Sequence, residues 1–133
     1  MDVELMCVSE YATVGDGKIT VAGVFDYLKS IRFPFSYNFY VTARIRFERE
    51  ETLDPRGHTL KLEYKNDAGE ELIATASYNF KIAEAGVTET SNLQFVLRNE
   101  EAPFLTTGRM NISLFIDEKL VKTIPLYVGK EPS

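Results

Sequence analysis

Residues 39–48 read FYVTARIRFE, and apolar and polar side chains alternate residue by residue through this stretch. The apolar set is Phe39, Val41, Ala43, Ile45 and Phe47. Successive side chains point to opposite faces of a β-strand, so this set predicts one apolar face, with Tyr40, Arg44 and Arg46 on the opposite one. The pattern is typical of a strand that covers a core on one side.

The same period of two recurs on both sides of this stretch. Alternating segments are found at 59–65, 72–80, 93–97 and 110–116, and strand-like segments at 3–8, 18–28 and 120–128. Turn-forming residues separate several of them, at 15–17, 66–69 and 117–119. About eight or nine short strands with such spacing predict an all-β chain. We expect one domain over residues 1–133, an antiparallel two-sheet β-sandwich of immunoglobulin-like or related Greek-key type.

Three segments carry more specific expectations about strand position. Residues 18–28 are apolar on both faces, which favours a central strand, and Gly23 within them predicts a bulge or a close backbone approach. Pro125 cannot donate a ladder hydrogen bond, so the last strand is predicted to be an edge or to carry a bulge. The first strand is the other candidate edge.

Composition excludes several classes of protein. Fifteen Lys and Arg against twenty Asp and Glu give a net charge of −5, which disfavours nucleic-acid binding. The N-terminal residues have no signal-peptide pattern, and no apolar run approaches the roughly 18 residues of a membrane helix. We therefore expect a cytoplasmic protein with no nucleic-acid or membrane partner.

Few residues are candidates for catalysis or metal binding. Cys7 and His58 are the only cysteine and histidine, and their positions do not pair them. Cys7 alternates with Val3 and Leu5, which predicts a core thiol, and His58 is expected to lie at the surface at a strand start. One His and one Cys cannot form the usual zinc sites. No catalytic residue, cofactor or metal is predicted.

Acidic loops leave calcium binding open. Antiparallel strands would bring loops 49–57, 81–91 and 117–119 to one end, together with acids such as Glu84 and Asp117. The opposite end is acidic as well, so the clustering does not point to a site, and solvated loops are the favoured explanation.

Residues 33–40 are the most aromatic part of the chain, with five aromatic rings in eight residues. Alternation predicts that Phe33, Phe35, Tyr37 and Phe39 pack mostly into the core. Tyr40 then lies on the opposite face with Arg44 and Arg46. Tyrosine and arginine are enriched in protein interfaces, so these three residues form a candidate partner-contact face.

Several motifs together resemble a known family. They are residues 17–26 (GKITVAGVFD), Phe33-Pro34, the strand at 39–47, residues 108–112 (GRMNI) and Pro125-Leu126. In their order and over nearly the whole chain, these motifs are similar to a family of small, uncharacterised bacterial proteins known as a domain of unknown function. The resemblance implies an all-β bacterial protein and carries over no catalytic residues.

Three functions remain open on these residues. The first is a non-enzymatic protein-interaction or assembly module that binds a protein partner or associates with itself. The second is a small-ligand or carbohydrate-binding β-sandwich, with a pocket lined by Tyr27, Tyr37 or Tyr40. The third is glycoside hydrolysis by paired carboxylates, which twenty acids permit without selecting any pair.

Overall fold

The strands follow one another with short connections along the chain. A computed structural model describes residues 1–83, 86 and 89–132, and within them the chain forms nine strands and one helical turn. The elements are β1 (Asp2–Gly15), β2 (Lys18–Val24), β3 (Tyr27–Ser30), β4 (Phe35–Phe47), α1 (Arg49–Thr52), β5 (His58–Lys65), β6 (Glu71–Phe80), β7 (Ser91–Phe104), β8 (Gly108–Ile116) and β9 (Lys119–Lys130).

The strands form two sheets. Sheet A has the order β2-β1-β4-β7, and sheet B has the order β3-β9-β8-β5-β6. Neighbours are antiparallel except β3 and β9, which run parallel. The prediction of an all-β fold with two mostly antiparallel sheets is therefore confirmed. Its immunoglobulin-like assignment and the single-domain boundary remain predictions.

The core lies between the two sheets. The five alternating residues of β4 that begin at Phe39 and end at Phe47 have no exposed surface. They face Leu62 and Tyr64 of β5 and Leu114 of β8, which are equally buried and belong to the same apolar cluster. Burial of one such large apolar side chain contributes about 1.5–3 kcal/mol. The alternation of β4 thus places it at the centre of the molecule.

The prediction for residues 18–28 is wrong. They form two strands in different sheets, and β2 is an edge strand whose Val24 is 59% exposed, whereas Leu28 of β3 is buried in the core. The chain passes from sheet A to sheet B between Val24 and Tyr27, just after Gly23, which has a φ of +68° and lies against the Glu10 side chain. A positive φ redirects the backbone, so the apolar residues before and after Gly23 pack against different parts of the molecule.

The two predicted edge strands have different outcomes. β1 lies between β2 and β4, so the expectation that it is an edge is wrong. β9 is flanked by β8, but β3 pairs with it only from Tyr127 to Lys130. The segment around Pro125 therefore has a strand on one side only, which suits a residue without an N–H. Among the described residues, no helix has the length and hydropathy needed to cross a membrane.

Candidate functional site

The predicted contact residues share the outer face of sheet A. Tyr40, Arg44 and Arg46 alternate with the buried residues of β4 and are half-buried. The ring of Tyr40 packs edge-on against that of Tyr11, with the centroids 6.0 Å apart. The aromatic rings of 33–39 lie on the inner side, where Phe39 is fully buried and Phe35 stacks on Phe104, as the alternation predicted.

Glu4 of β1 holds both arginines of this face. Arg44 Nε donates to one Glu4 carboxylate oxygen and Arg46 Nε to the other, each over 3.0 Å. The hydrogen bonds from Arg46 and Arg44 lower the pKa of Glu4 below its ordinary value. Arg46 also donates to the Thr90 hydroxyl over 2.7 Å. The guanidinium groups are therefore already engaged within the chain, and the face is not a free basic patch.

The distal half of the β1–β2 hairpin folds back over this face. Gln94 of β7 pairs with Arg44 of β4, and Arg44 in turn pairs with Leu5 of β1. Gln94 nevertheless donates its side-chain N–H to the carbonyl of Gly17, at the tip of the hairpin, over 2.9 Å. An extended strand rises about 3.3 Å per residue, so a straight β1 would carry Gly17 about 40 Å beyond Leu5. The hairpin must bend across the sheet. This accounts for Ala12, which is buried outside the main core cluster.

Cys7 does not lie in the core, which corrects the prediction. A register shift between Val3 and Leu5 puts Cys7 opposite Thr42, on the outer face of sheet A. The β-bulge adds one residue to the alternation, so Leu5 and Cys7 change faces relative to Val3. Burial nevertheless raises the pKa of the Cys7 thiol, so it is mostly protonated at neutral pH.

His58 is not a surface residue, which corrects the second prediction. Its side chain is 9% exposed and packs against the rings of Phe47 and Phe80, which also contact each other. Nδ1 is 2.7 Å from a carboxylate oxygen of Asp117, and Nε2 is 2.7 Å from the Glu51 carbonyl oxygen. Both ring nitrogens thus face acceptors. The cluster ties the segment after β4 to the β8–β9 turn.

The same cluster shows that the loops after β4 and β8 share one end of the sandwich. The amino group of Met1 pairs there with Glu51 over 2.9 Å. Glu84, which was placed at this end by the strand alternation, lies outside the described residues. In the parts of the chain that the structure describes, no three Asp, Glu, His or Cys side chains are arranged to hold a metal ion.

The tyrosines suggested for a ligand pocket lie in different places. Tyr27 is on the edge strand β3 and exposed, whereas Tyr40 is on the outer face of sheet A. Tyr37 is half-buried beside Phe25, and its hydroxyl donates to Glu10 over 3.0 Å. No common pocket of these three residues is formed.

The free edge of β7 is a candidate site that sequence reasoning missed. β7 pairs with β4 on one side and, in the part of the chain that the structure describes, has no strand on its other side. Residues 91–99 contain no proline and no lysine, and the register with β4 is unbroken from Ser91 to Asn99. Leu93, Phe95 and Leu97 face the core side but are only half-buried. The alternating residues indicated a strand here, but nothing in the local sequence showed that its edge would be free.

These features of the described residues define a class of protein: a two-sheet β-sandwich in which the long edge strand β7 pairs on one side only. Comparison with known families gives a match over residues 4–129 of the 133 to a family of unknown function, DUF6941. The chain belongs to this family, which agrees with the resemblance carried by its sequence motifs. A search of the curated proteins found no match.

Proposed function

We propose that this protein is a non-enzymatic interaction module that binds an extended segment of a protein partner by strand addition to β7. The observation that carries the proposal is the edge of β7, a 14-residue strand whose residues 91–99 are regular and, within the described part of the chain, pair on one side only. A strand edge presents a row of free N–H and C=O groups, and main-chain hydrogen bonding to such a row is a common mode of peptide recognition.

The other three sheet edges are less suited to pairing. β3 has four residues, and β2 belongs to the hairpin that folds back over sheet A. β6 carries two register shifts, and the Glu71 carboxylate accepts both the backbone N–H and the hydroxyl of Thr75. Short length, bulges and local capping are devices that protect edges from pairing. Residues 91–99 of β7 have none of them.

The side chains of β7 support the same assignment. Leu93, Phe95 and Leu97 remain half-buried at the rim of the core, because no strand formed by the described residues lies beyond them. An added strand would cover these three side chains and remove more apolar area from water, and burial of that area contributes about 25 cal/mol per Å². The net charge of −5 favours a protein partner over a nucleic acid.

A proline substitution tests the edge directly. Adjacent residues in an antiparallel pair alternate in facing the partner strand or the free side. One of the two variants Leu97→Pro and Arg98→Pro therefore removes an N–H from the free side, and the one whose thermal unfolding stays nearer wild type is chosen. Affinity capture from source-cell lysate should recover a specific partner with wild type and lose it with this variant.

The matched comparison is the double variant Tyr40→Ala with Arg44→Glu on the outer face of sheet A. We expect it to retain the partner. Loss of the partner in the double variant together with retention in the proline variant would move the site to the outer face. Recovery of the chain itself, lost in the proline variant, would identify the partner as a second copy.

A further inference from the structure

A cleft lies at the end of the sandwich where the β5–β6 turn meets the β7–β8 connection. It has a volume of about 400 Å³, within the range of about 300–1,000 Å³ that small-molecule sites occupy. Its lining includes Phe104, Met110 and Val128, which are core residues with at most 7% of their surface exposed. The cleft therefore reaches the apolar core from the outside.

Its rim is also apolar in part. Leu105 is 71% exposed and Leu72 is 37% exposed, and both line the cleft. Large exposed apolar side chains around a concave site favour an occupant with an apolar body, because binding removes their surface from water.

The polar side of the cleft is organised around Asp67. Arg109 donates to Asp67 Oδ1 through Nε and Nη2, over 3.0 and 2.7 Å, and Asn111 donates to the same oxygen over 2.9 Å. The hydrogen bonds from Asn111 and Arg109 lower the pKa of Asp67, so its carboxylate stays ionised at neutral pH. Among the described residues, no donor reaches its second oxygen, Oδ2.

The turn that carries Asp67 is held in place by its own hydrogen bonds. Asn66 N–H donates to the Glu70 carbonyl over 3.0 Å, and the Glu70 N–H donates to the Asn66 side chain over 2.9 Å. Glu70 and Glu71 line the same wall. The lining therefore holds three acidic residues and one arginine; Arg109 is already paired with Asp67, and the Glu71 carboxylate accepts hydrogen bonds from Thr75.

We propose that this cleft binds a small organic cation with an apolar body. The apolar part lies against Phe104, Met110 and Leu105, and the positive charge lies toward Asp67 and Glu70 at the rim. Complementary charge at the rim of a binding site selects the sign of the ligand. This site lies at the far end of β7, where Pro103 and Phe104 line it, and does not include residues 91–99. The proposal does not depend on strand addition.

Three probes with the same six-carbon chain but different charge test which sign of ligand charge the cleft prefers. Hexylammonium, hexanol and hexanoate are titrated into ¹⁵N-labelled full-length protein, and amide shifts are followed by NMR. Hexylammonium should give saturable shifts at residues 67–72 and 105–110, with weaker shifts from hexanol and none from hexanoate. Equal or tighter binding of hexanol or hexanoate would overturn the proposal, as would the absence of saturable shifts at these residues.

Two variants that each remove one negative charge test whether the cation binds in this cleft. Glu70→Gln removes one exposed carboxylate from the rim, and Glu118→Gln removes one at the opposite end of the sandwich. Partly exposed ion pairs contribute little, so Glu70→Gln should weaken hexylammonium binding about two- to five-fold. Glu118→Gln should leave the affinity unchanged. The same loss in both variants would mean that net charge alone attracts the cation, which contradicts a site in this cleft.

Discussion

At the residue scale, the imidazole of His58 lies between two acceptors, the Asp117 carboxylate and the Glu51 carbonyl. Both hydrogen bonds need a donor nitrogen, so the arrangement requires the doubly protonated ring. Burial by itself lowers the pKa of His58, but the bonds to Asp117 and Glu51 and the charges of Asp117 and Asp54 outweigh it and raise the pKa above its ordinary value. The Glu51 carboxylate is occupied by the amino group of Met1.

This arrangement predicts a pH-dependent stability. Because the folded pKa of His58 is raised, its contribution is fully present below the unfolded pKa of about 6.5 and is lost as the pH rises through the folded value. The pKa of Asp117 is lowered in the fold, although burial opposes this, since it accepts hydrogen bonds from His58 and Thr59. The contribution of Asp117 is lost at low pH.

The variant His58→Gln should therefore lose the most stability, about 1–3 kcal/mol, near pH 5–6. Urea unfolding of wild type and variant between pH 5 and 9 measures the difference. We expect it to shrink as the pH rises above the folded pKa of His58. A difference that stays constant over this range would contradict the protonated ring.

Gly57 is the second residue whose substitution has a clear expected effect on stability. Its φ is +73°, and an added Cβ would lie 2.6 Å from the Phe80 carbonyl oxygen. A left-handed conformation costs an L-residue about 1–2 kcal/mol, and the backbone contact adds to it. Gly57→Ala should therefore destabilise the protein by about 2 kcal/mol or more. Gly15→Ala, with nothing within 4 Å, is the control and should change stability by less than about 0.5 kcal/mol in the same thermal unfolding assay.

At the element scale, the tip of the β1–β2 hairpin is held against sheet A by the hydrogen bond between Gln94 and Gly17. Gln94→Ala removes this bond at the tip and leaves the core untouched. We expect faster hydrogen exchange at amides 16–20 with little change in the melting temperature, because local opening of the tip is uncoupled from global unfolding. Arg98→Ala, on the same strand but exposed, is the control. Equal exchange in both variants would show that this bond does not hold the tip.

Element positions were predicted unevenly. The strand at 39–47 was identified correctly because one face of β4 is wholly buried, and this makes the alternation unambiguous. Residues 18–28 were misplaced because apolar residues on both faces do not reveal that the chain changes sheets between Val24 and Tyr27. Cys7 was misplaced by a single bulge, since one extra residue reverses every following side chain.

At the scale of the whole molecule, stability rests on the interface between the sheets. Leu114 is fully buried in the common cluster, whereas Leu120 is 58% exposed. Leu114→Ala should cost about 2–5 kcal/mol, because it leaves a cavity between the sheets. Leu120→Ala should change the free energy of unfolding by less than about 0.5 kcal/mol in urea denaturation. Similar losses in both variants would contradict this location of the core.

The candidate surfaces were predictable only in part. Alternation correctly placed Tyr40, Arg44 and Arg46 on one face, but the partner of both arginines, Glu4, is about 40 positions away in the chain. Ion pairing across strands depends on register, which a local pattern does not contain. The free edge of β7 was unpredictable for the same reason, because it depends on strand order, which a local pattern does not contain either.

The sequence by itself determined that the chain is all-β, that it forms about eight or nine strands and which face of β4 is buried. These properties follow from the period of two, which is local and is read from neighbouring residues. Tertiary structure alone decided which strands are edges, where the hairpin folds back, why His58 is enclosed and where the cleft opens. Each of these depends on contacts between residues far apart in the chain, and the energy of such contacts is set by how the two sheets pack.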